Sequence, residues 1–265
     1  MIVSRLHSLA ASPLLRGQLP VLAGLALPLV WTVVENGVGV LERLAVVGAV
    51  AVFWQFVFAR IRKQGFGLEG VSMAILVALV TPESAPVWQL ALGGSFGIVI
   101  GLLIFGGLGR NVLHPAVVTL AFLMFSFATD GYRDTPQIAL WTLAPALIVL
   151  LAAGQANWRI LVGAVPAFAL MGWAQGDGAL FDLGGTGLFW LVLLFLVADP
   201  VASAATNWGR LAHGALYGVL VALFLQAGTA VSALVFAVLM AAIFAPLLDQ
   251  LVIAANISRR ARRHG

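Results

Sequence analysis

The hydrophobic positions of this chain gather into ten nearly continuous apolar segments, separated by short turns that are polar or rich in glycine and proline. Continuous apolar runs of this length predict helices surrounded by hydrocarbon, because a helix at the surface of a soluble protein alternates apolar and polar faces. The segments cover residues 18–34, 44–59, 67–82, 86–105, 113–128, 137–153, 159–175, 184–198, 211–227 and 230–254. The pattern therefore predicts an all-α polytopic membrane protein with about ten transmembrane helices.

The two halves of the chain resemble each other. Each half has an X-Pro break at the end of its third segment and a Gly-xxx-Gly pair at the start of its fourth. These features are Thr81-Pro82 with Gly93 and Gly97, and Asp199-Pro200 with Gly214 and Gly218. Because five segments per half is an odd number, the second half would cross the membrane in the opposite sense. We expect two inverted five-helix repeats with broken helices, residues 1–136 and 137–265, with chance similarity as the alternative.

Composition and charge agree with a membrane location. Hydrophobic residues make up 62% of the chain and charged residues 9%, and the mean hydropathy is +1.07. If the N-terminus is cytoplasmic and there are ten spans, Arg43 and Arg133 are the only basic residues of the 14 that lie outside. Cytoplasmic loops of membrane proteins carry such an excess of Lys and Arg. We therefore expect both termini in the cytoplasm.

Residue usage limits the redox chemistry that the chain could perform. The sequence contains no cysteine, which excludes disulfides, thiolate-bound iron–sulfur clusters and c-type haem attachment. Its four histidines are too scattered along the chain for a bis-histidine haem site. Electron transfer would therefore need an organic cofactor.

A glycine-rich turn between the fourth and fifth segments is the first candidate binding site. Gly106, Gly107 and Gly109 are too closely spaced for a helix, and Arg110 and Asn111 follow them directly. Backbone amides in such a turn can face a phosphate or a ring that carries carbonyl groups. An ordinary tight cytoplasmic loop is the alternative.

Two aspartates are candidates for an ion or proton path. Asp199 precedes Pro200, where a helix should stop, and Asp249 lies well inside the last apolar segment. An ionisable group at membrane depth is costly without a partner and is often functional. The structural alternatives are a helix cap for Asp199, and for Asp249 the satisfaction of backbone groups freed by Pro246.

Several ordered stretches identify the chain by resemblance as a member of the NqrB/RnfD family. NqrB is a component of the Na⁺-translocating NADH:quinone oxidoreductase, and RnfD is a component of the Rnf electron transport complex. The stretches are LVALVTPESAPVWQLALG around Thr81, FGGLGRN followed by Pro115, ADPVAS around Asp199, and IFAPLLD with ANISRR near the C-terminus. The resemblance implies a component of a multi-subunit translocase of the bacterial inner membrane. Such a component passes electrons toward quinone together with partner subunits and is not an enzyme alone.

The resemblance also implies cofactors. Family members carry FMN, esterified to a threonine in an extracytoplasmic Asp-x-x-Ser-Gly-Ala-Thr loop, and a non-covalent riboflavin. The corresponding loop here begins at Asp130 and lacks the Ser-Gly-Ala, so Thr135 is the expected attachment site. The glycine turn matches the segment implicated in quinone binding. The Lys-Glu pair that precedes this turn in the family is Leu102-Leu103 here, which favours electron transfer over sodium pumping.

Two other classes of function fit the same pattern. Inverted repeats with proline-broken helices also suit a transporter or channel for a small solute or a flavin. A scaffold component that has lost its cofactors would suit the shortened Thr135 loop. Flavin bound to the purified protein would separate the first interpretation from these two. The coupling ion, the electron donor, the quinone type and the subunit composition do not follow from the sequence.

Overall fold

The computed structural model describes residues 13–62, 67–107, 109–127, 132, 137–176 and 178–264, with the backbone alone for 13–16 and 260–264. Within these residues the chain forms eleven α-helices. They are α1 Pro13–Asn36, α2 Gly39–Arg62, α3 Glu69–Val80, α4 Val87–Ile98, α5 Pro115–Ser126, α6 Leu143–Ala152, α7 Trp158–Gln175, α8 Gly178–Gly184, α9 Gly187–Val192, α10 Asn207–Leu225 and α11 Ala230–His264. The chain is an all-α polytopic membrane protein, as predicted.

Three short helical segments of other types extend these helices. A π-helical turn at Val99–Leu103 continues α4, and a second at Leu193–Val197 continues α9. A 3₁₀ turn at Leu140–Thr142 leads into α6. Each predicted apolar segment therefore corresponds to a helix, although the sequence did not reveal α8 or the extension of α11 to His264.

The predicted membrane helices differ in length. In the described part of the chain, four helices are long and apolar enough to cross a membrane, and a fifth span results if α8 and α9, bent by 62°, are taken together. The helices α3 and α5 have only 12 residues each. At 1.5 Å per residue such a helix covers about 18 Å of a hydrocarbon core that is about 30 Å thick. Pro82 after α3 and the glycine turn before α5 explain why these helices are short.

Two groups of helices meet along a seam. The helices α2 to α5 pack together on one side, and α7, α10 and α11 pack together on the other. Across the seam α1 contacts α6, and α5 contacts α11. At the α1–α6 contact the rings of Trp31 and Trp141 meet edge to face with centroids 5.0 Å apart. The seam brings residues from both halves of the sequence together.

The closest packing is between α7 and α10. Side chains added at Gly163, Gly214 or Gly218 would run into backbone atoms of the facing helix. In the first half, Gly93 and Gly97 of α4 face α5. In the π turn that follows, an added Cβ at Gly101 would be 2.8 Å from Cα of Pro115. The two Gly-xxx-Gly pairs therefore serve different neighbours, although their sequence positions correspond.

Arg43 occupies the interior at the end of α3. Because Pro82 has no N–H, the carbonyl of Ala78 loses its normal helical donor. Nε of Arg43 donates to this carbonyl at 3.2 Å, and the Arg43 side chain is buried. The contact satisfies the carbonyl that the proline break exposes.

Replacing Arg43 with leucine should lower the free energy of unfolding by about 1–3 kcal/mol, because the buried carbonyl of Ala78 loses its partner. Thermal unfolding in detergent would measure the change. Arg159→Leu is the matched control, since the Arg159 guanidinium lies over the Trp158 ring near the surface. Equal unfolding temperatures for the two variants would contradict this role of Arg43.

Candidate functional site

A cavity of about 280 Å³ lies at the seam, where both halves of the chain contribute to its wall. The first half supplies α1, α3, the end of the α4 π turn, the glycine turn and the start of α5. The second half supplies α6, the π turn after α9 and the loop at Asp199. The lining residues are Gly17, Gln18, Val21, Glu69, Ser72, Leu102, Gly109, Asn111, His114, Pro115, Leu150, Gln155, Leu194, Phe195, Asp199, Pro200 and Val201.

Both π-helical turns contribute to this wall. Leu102 belongs to the first turn, and Leu194 and Phe195 belong to the second. A π turn inserts an extra residue into a helix and is frequent at functional sites. Apolar periodicity does not reveal such a turn, so neither one could be predicted from the hydrophobic pattern.

The glycine turn adopts the backbone that its composition predicts. Gly106, Gly107 and Gly109 have φ values of 101°, 96° and 82°, a region that other residues rarely occupy. The Arg62 guanidinium holds the turn from outside by donating from Nη1 to the Leu103 carbonyl at 2.6 Å and from Nη2 to the Ile104 carbonyl at 3.3 Å.

The predicted residues of the glycine turn divide between two faces. Gly109 and Asn111 line the cavity, whereas Gly106, Gly107 and Arg110 are absent from its wall. Nη1 of Arg110 lies 3.3 Å from the position that a Cβ on Gly106 would take, and the Arg110 side chain is exposed. The turn therefore presents one face to the cavity and another to the surface.

Asn111 and His114 present polar groups to the cavity. Asn111 is 5% exposed, its Nδ2 donates to the Leu113 carbonyl at 3.1 Å, and its Oδ1 has no hydrogen-bond partner. Nδ1 of His114 accepts from the amide of Ala116 at 3.2 Å, which caps α5. In a neutral ring this leaves the proton on Nε2, available as a donor. A buried acceptor without a partner indicates that a ligand or water completes the site.

Asp199 lies beside this pair in the cavity wall. Its carboxylate accepts from the amides of Val201 at 3.4 Å and Ala202 at 3.2 Å, which shapes the loop after the Asp199-Pro200 break. It is also close enough to His114 for their charges to interact. The structure thus places Asp199 at the cavity and gives it a loop-capping role as well.

Glu69 is a second cavity carboxylate, which sequence reasoning missed. It begins α3, is 7% exposed, and accepts from Nε2 of Gln55 at 3.3 Å. Ser72, one turn later, donates either to Oε1 of Gln18 at 2.9 Å or to the carbonyl of Glu69 at 3.0 Å. The signal was available, because Glu69 lies within the third predicted apolar segment and an ionisable residue there is costly.

Comparison with known proteins identifies the family. The family model described as NQR2, RnfD, RnfE matches residues 4–142 and 135–258. The chain belongs to this family. Among curated relatives, the B subunit of the Na⁺-translocating NADH-quinone reductase of Pseudomonas aeruginosa strain LESB58 is 32% identical over 268 residues, which cover 80% of this chain and 66% of that protein.

Two further relatives carry the same name. The protein of Ectopseudomonas mendocina strain ymp is 33% identical over an alignment of 281 residues with gaps included, and the alignment covers 83% of this chain and 68% of that protein. The protein of Yersinia pestis is 31% identical over 281 residues, with coverages of 83% and 67%. This NQR2/RnfD/RnfE family member thus spans about two thirds of the length of the curated relatives it matches.

In this family member Asp249 is placed away from the cavity wall. Its carboxylate accepts from the Ala205 amide at 2.7 Å, the Thr206 amide at 2.9 Å and the Thr206 hydroxyl at 2.6 Å. These contacts fix the end of the loop that carries Asp199 and the start of α10. They favour the structural role of Asp249, although its partners are in this loop and not in the backbone near Pro246.

The loop that carries Thr135 lies outside the described residues except for Tyr132. The Tyr132 hydroxyl donates to Oε1 of Gln89 at 3.3 Å, and the side chain is buried against the start of α4. Burial raises the pKa of Tyr132 to about 12, which keeps its hydroxyl a donor even in alkaline solution. One residue of the loop is thus anchored to the helix bundle.

Proposed function

We propose that this chain is the flavin-binding membrane component of an Nqr/Rnf-type electron transport complex and passes electrons across the membrane toward quinone. The observation that carries the proposal is the cavity at the seam, which combines apolar walls with a few convergent polar groups, in a chain of this family. Ligand sites in proteins have this composition, and the cavity volume of about 280 Å³ is just below their usual range of about 300–1,000 Å³.

The cavity would hold the ring of a non-covalent riboflavin. Leu150, Leu194 and Phe195 offer apolar contact to its faces, while Asn111 and His114 offer an acceptor and a donor to its polar edge. The Oδ1 of Asn111, buried without a partner, would accept from a ring N–H. A bound flavin would supply the electron-carrying ring, and the walls would exclude water from it. Asp199 would handle protons or cations at the same cavity.

Quinone would bind near the glycine turn. The covalent FMN would be carried by Thr135 on the extracytoplasmic side, and both termini would be cytoplasmic in a bacterial inner membrane. Other subunits of the complex would oxidise NADH and deliver the electrons. In this arrangement the chain conducts electrons between partners and does not complete a reaction by itself.

The two halves, residues 1–136 and 137–265, would be inverted repeats. Four correspondences support this division. The contacts α2–α4 and α4–α5 of the first half have counterparts in α7–α10 and α10–α11 of the second. The helices α1 and α6, which would correspond, contact each other, as do α5 and α11. Such self-pairing is expected of elements that lie next to a pseudo-two-fold axis.

Filling the cavity tests the proposed flavin site. The purified protein should release flavin on denaturation, and Val21→Trp should lower the amount per chain at least about tenfold because the indole takes the ligand's space. Fluorescence of the released flavin measures it. Val30→Trp is the matched control, since Val30 is on the same helix but 58% exposed.

Two results would contradict the flavin proposal. If Val21→Trp retains the full flavin content, the flavin is bound elsewhere. If protein purified with its partners is free of flavin, the scaffold interpretation is favoured, and solute uptake by such protein in liposomes would favour the transporter interpretation.

A further inference from the structure

A second concave surface lies on the outside of the helix bundle, on the other face of the glycine turn. It is an apolar groove of about 500 Å³ between α4, α5 and α11. Its walls are formed by Phe96 of α4, Ile100 of the π turn after α4, Ala121 and Phe125 of α5, and Phe236 of α11. Phe125 is 82% exposed, so the groove is open to the outside of the helix bundle. The groove thus crosses the seam between the two halves.

The glycine turn forms one end of the groove. Phe105 and Val112, on either side of the turn, belong to the groove wall, whereas Gly109 and Asn111 belong to the cavity wall. The groove and the cavity are therefore separate spaces divided by the turn. A ligand of the groove would be independent of a flavin in the cavity.

Two arginines contact the backbone next to Phe105, at this end of the groove. Arg62 lies on the carbonyls of Leu103 and Ile104, and the exposed Arg110 lies over Gly106. Arg62 also faces the Phe58 ring, with 5.2 Å between its guanidinium carbon and the ring centroid. The Arg62 guanidinium contacts carbonyls and a ring, and the Arg110 guanidinium contacts a glycine. Among the described residues, neither group contacts a carboxylate. Their positive charge is left for a partner outside the chain.

We propose that the groove binds an anionic phospholipid, with one acyl chain between α4, α5 and α11 and the phosphate at Arg110 and Arg62. The apolar wall matches an acyl chain, and the two arginines match the negative charge of the head group. The positive charges of Arg110 and Arg62 favour this ligand over a neutral amphiphile such as a quinone. A quinone would leave both guanidinium groups without an anion. The lipid bridges the seam because its acyl chain contacts α4 and α5 on one side and α11 on the other.

Lipid retention tests the proposal. The full chain is purified in detergent, delipidated, and titrated with phosphatidylglycerol or phosphatidylcholine, and the bound lipid is counted by native mass spectrometry. The wild type should bind one phosphatidylglycerol in preference to phosphatidylcholine. Arg110→Gln should weaken phosphatidylglycerol binding about fivefold by removing one charge at the membrane surface, with little effect on phosphatidylcholine.

Two further variants complete the experiment. Ala121→Phe, which fills the groove, should weaken binding of both lipids, whereas Arg159→Gln, an arginine stacked on Trp158 and remote from the groove, should bind like the wild type. Equal affinity of the wild type for the two lipids would overturn the proposal. So would an unchanged affinity in Arg110→Gln, or displacement of the bound lipid by a quinone with an isoprenoid tail.

Discussion

Replacing Gly214 with alanine is expected to abolish the close contact between α7 and α10 and to destabilise the protein by about 3 kcal/mol or more. A Cβ at this position would run into the carbonyl oxygen of Ile160 and would be 2.9 Å from the amide nitrogen of Ala164. Both are backbone atoms, so no side-chain rotation can relieve the clash and the helices must separate. Helices in lipid depend on such small-residue contacts because the hydrophobic effect does not drive them together.

Thermal unfolding in detergent would show this effect as a midpoint lower by roughly 10 °C. Gly178→Ala is the control, because a Cβ there has no atom within 4 Å and the backbone is not in the left-handed region. It should unfold within about 0.5 kcal/mol of the wild type. A Gly214→Ala protein as stable as the Gly178→Ala protein would mean that the two helices are not in backbone contact.

Replacing Thr135 with alanine is expected to remove all of the flavin that stays with the chain after denaturation. A phosphoester to FMN needs a side-chain hydroxyl oxygen, and alanine has none. The chain, expressed together with a flavin-attaching transferase, would be separated by denaturing electrophoresis and its fluorescence recorded under ultraviolet light. The non-covalent flavin of the native protein should be unaffected, because the cavity lies at Asn111 and His114.

Thr135→Ser keeps a hydroxyl and serves as the matched variant, with at least part of the fluorescence retained. Fluorescence that persists in the Thr135→Ala chain would place the attachment elsewhere and refute this assignment. A wild-type chain without fluorescence would show that the shortened loop, which lacks the family's Ser-Gly-Ala, is not flavinylated. Neither result would affect the prediction for Val21→Trp, which concerns a different flavin.

Much of the architecture follows from local sequence. Apolar runs placed a helix within each predicted segment, and Thr81-Pro82 and Asp199-Pro200 correctly marked the ends of α3 and of the π turn after α9. These predictions succeed because helix formation and proline breaks depend on neighbouring residues alone. The lengths of α3 and α5 were predicted less well, because apolar residues continue past the turns that end these helices.

The candidate site was predicted only in part. The sequence indicated Asp199, Gly109 and Asn111, which line the cavity, because breaks and glycine turns can be recognised locally. It assigned equal weight to Asp249, which holds the Ala205–Thr206 backbone instead. Glu69 was missed because a carboxylate at the start of an apolar segment resembles an ordinary helix end until its burial is known.

Reading the residues in order is enough to recognise an all-α membrane protein of the NQR2, RnfD, RnfE family with proline-broken helices and a glycine turn. It is the packed fold that brings Glu69, Asn111, His114 and Asp199 around one cavity and sets Arg43 against the backbone at Ala78. The reason is physical. Helix formation is governed by residues a few positions apart, whereas a cavity and its unpaired acceptors arise from packing between segments that are distant in the sequence, such as those that carry Gly17 and Val201.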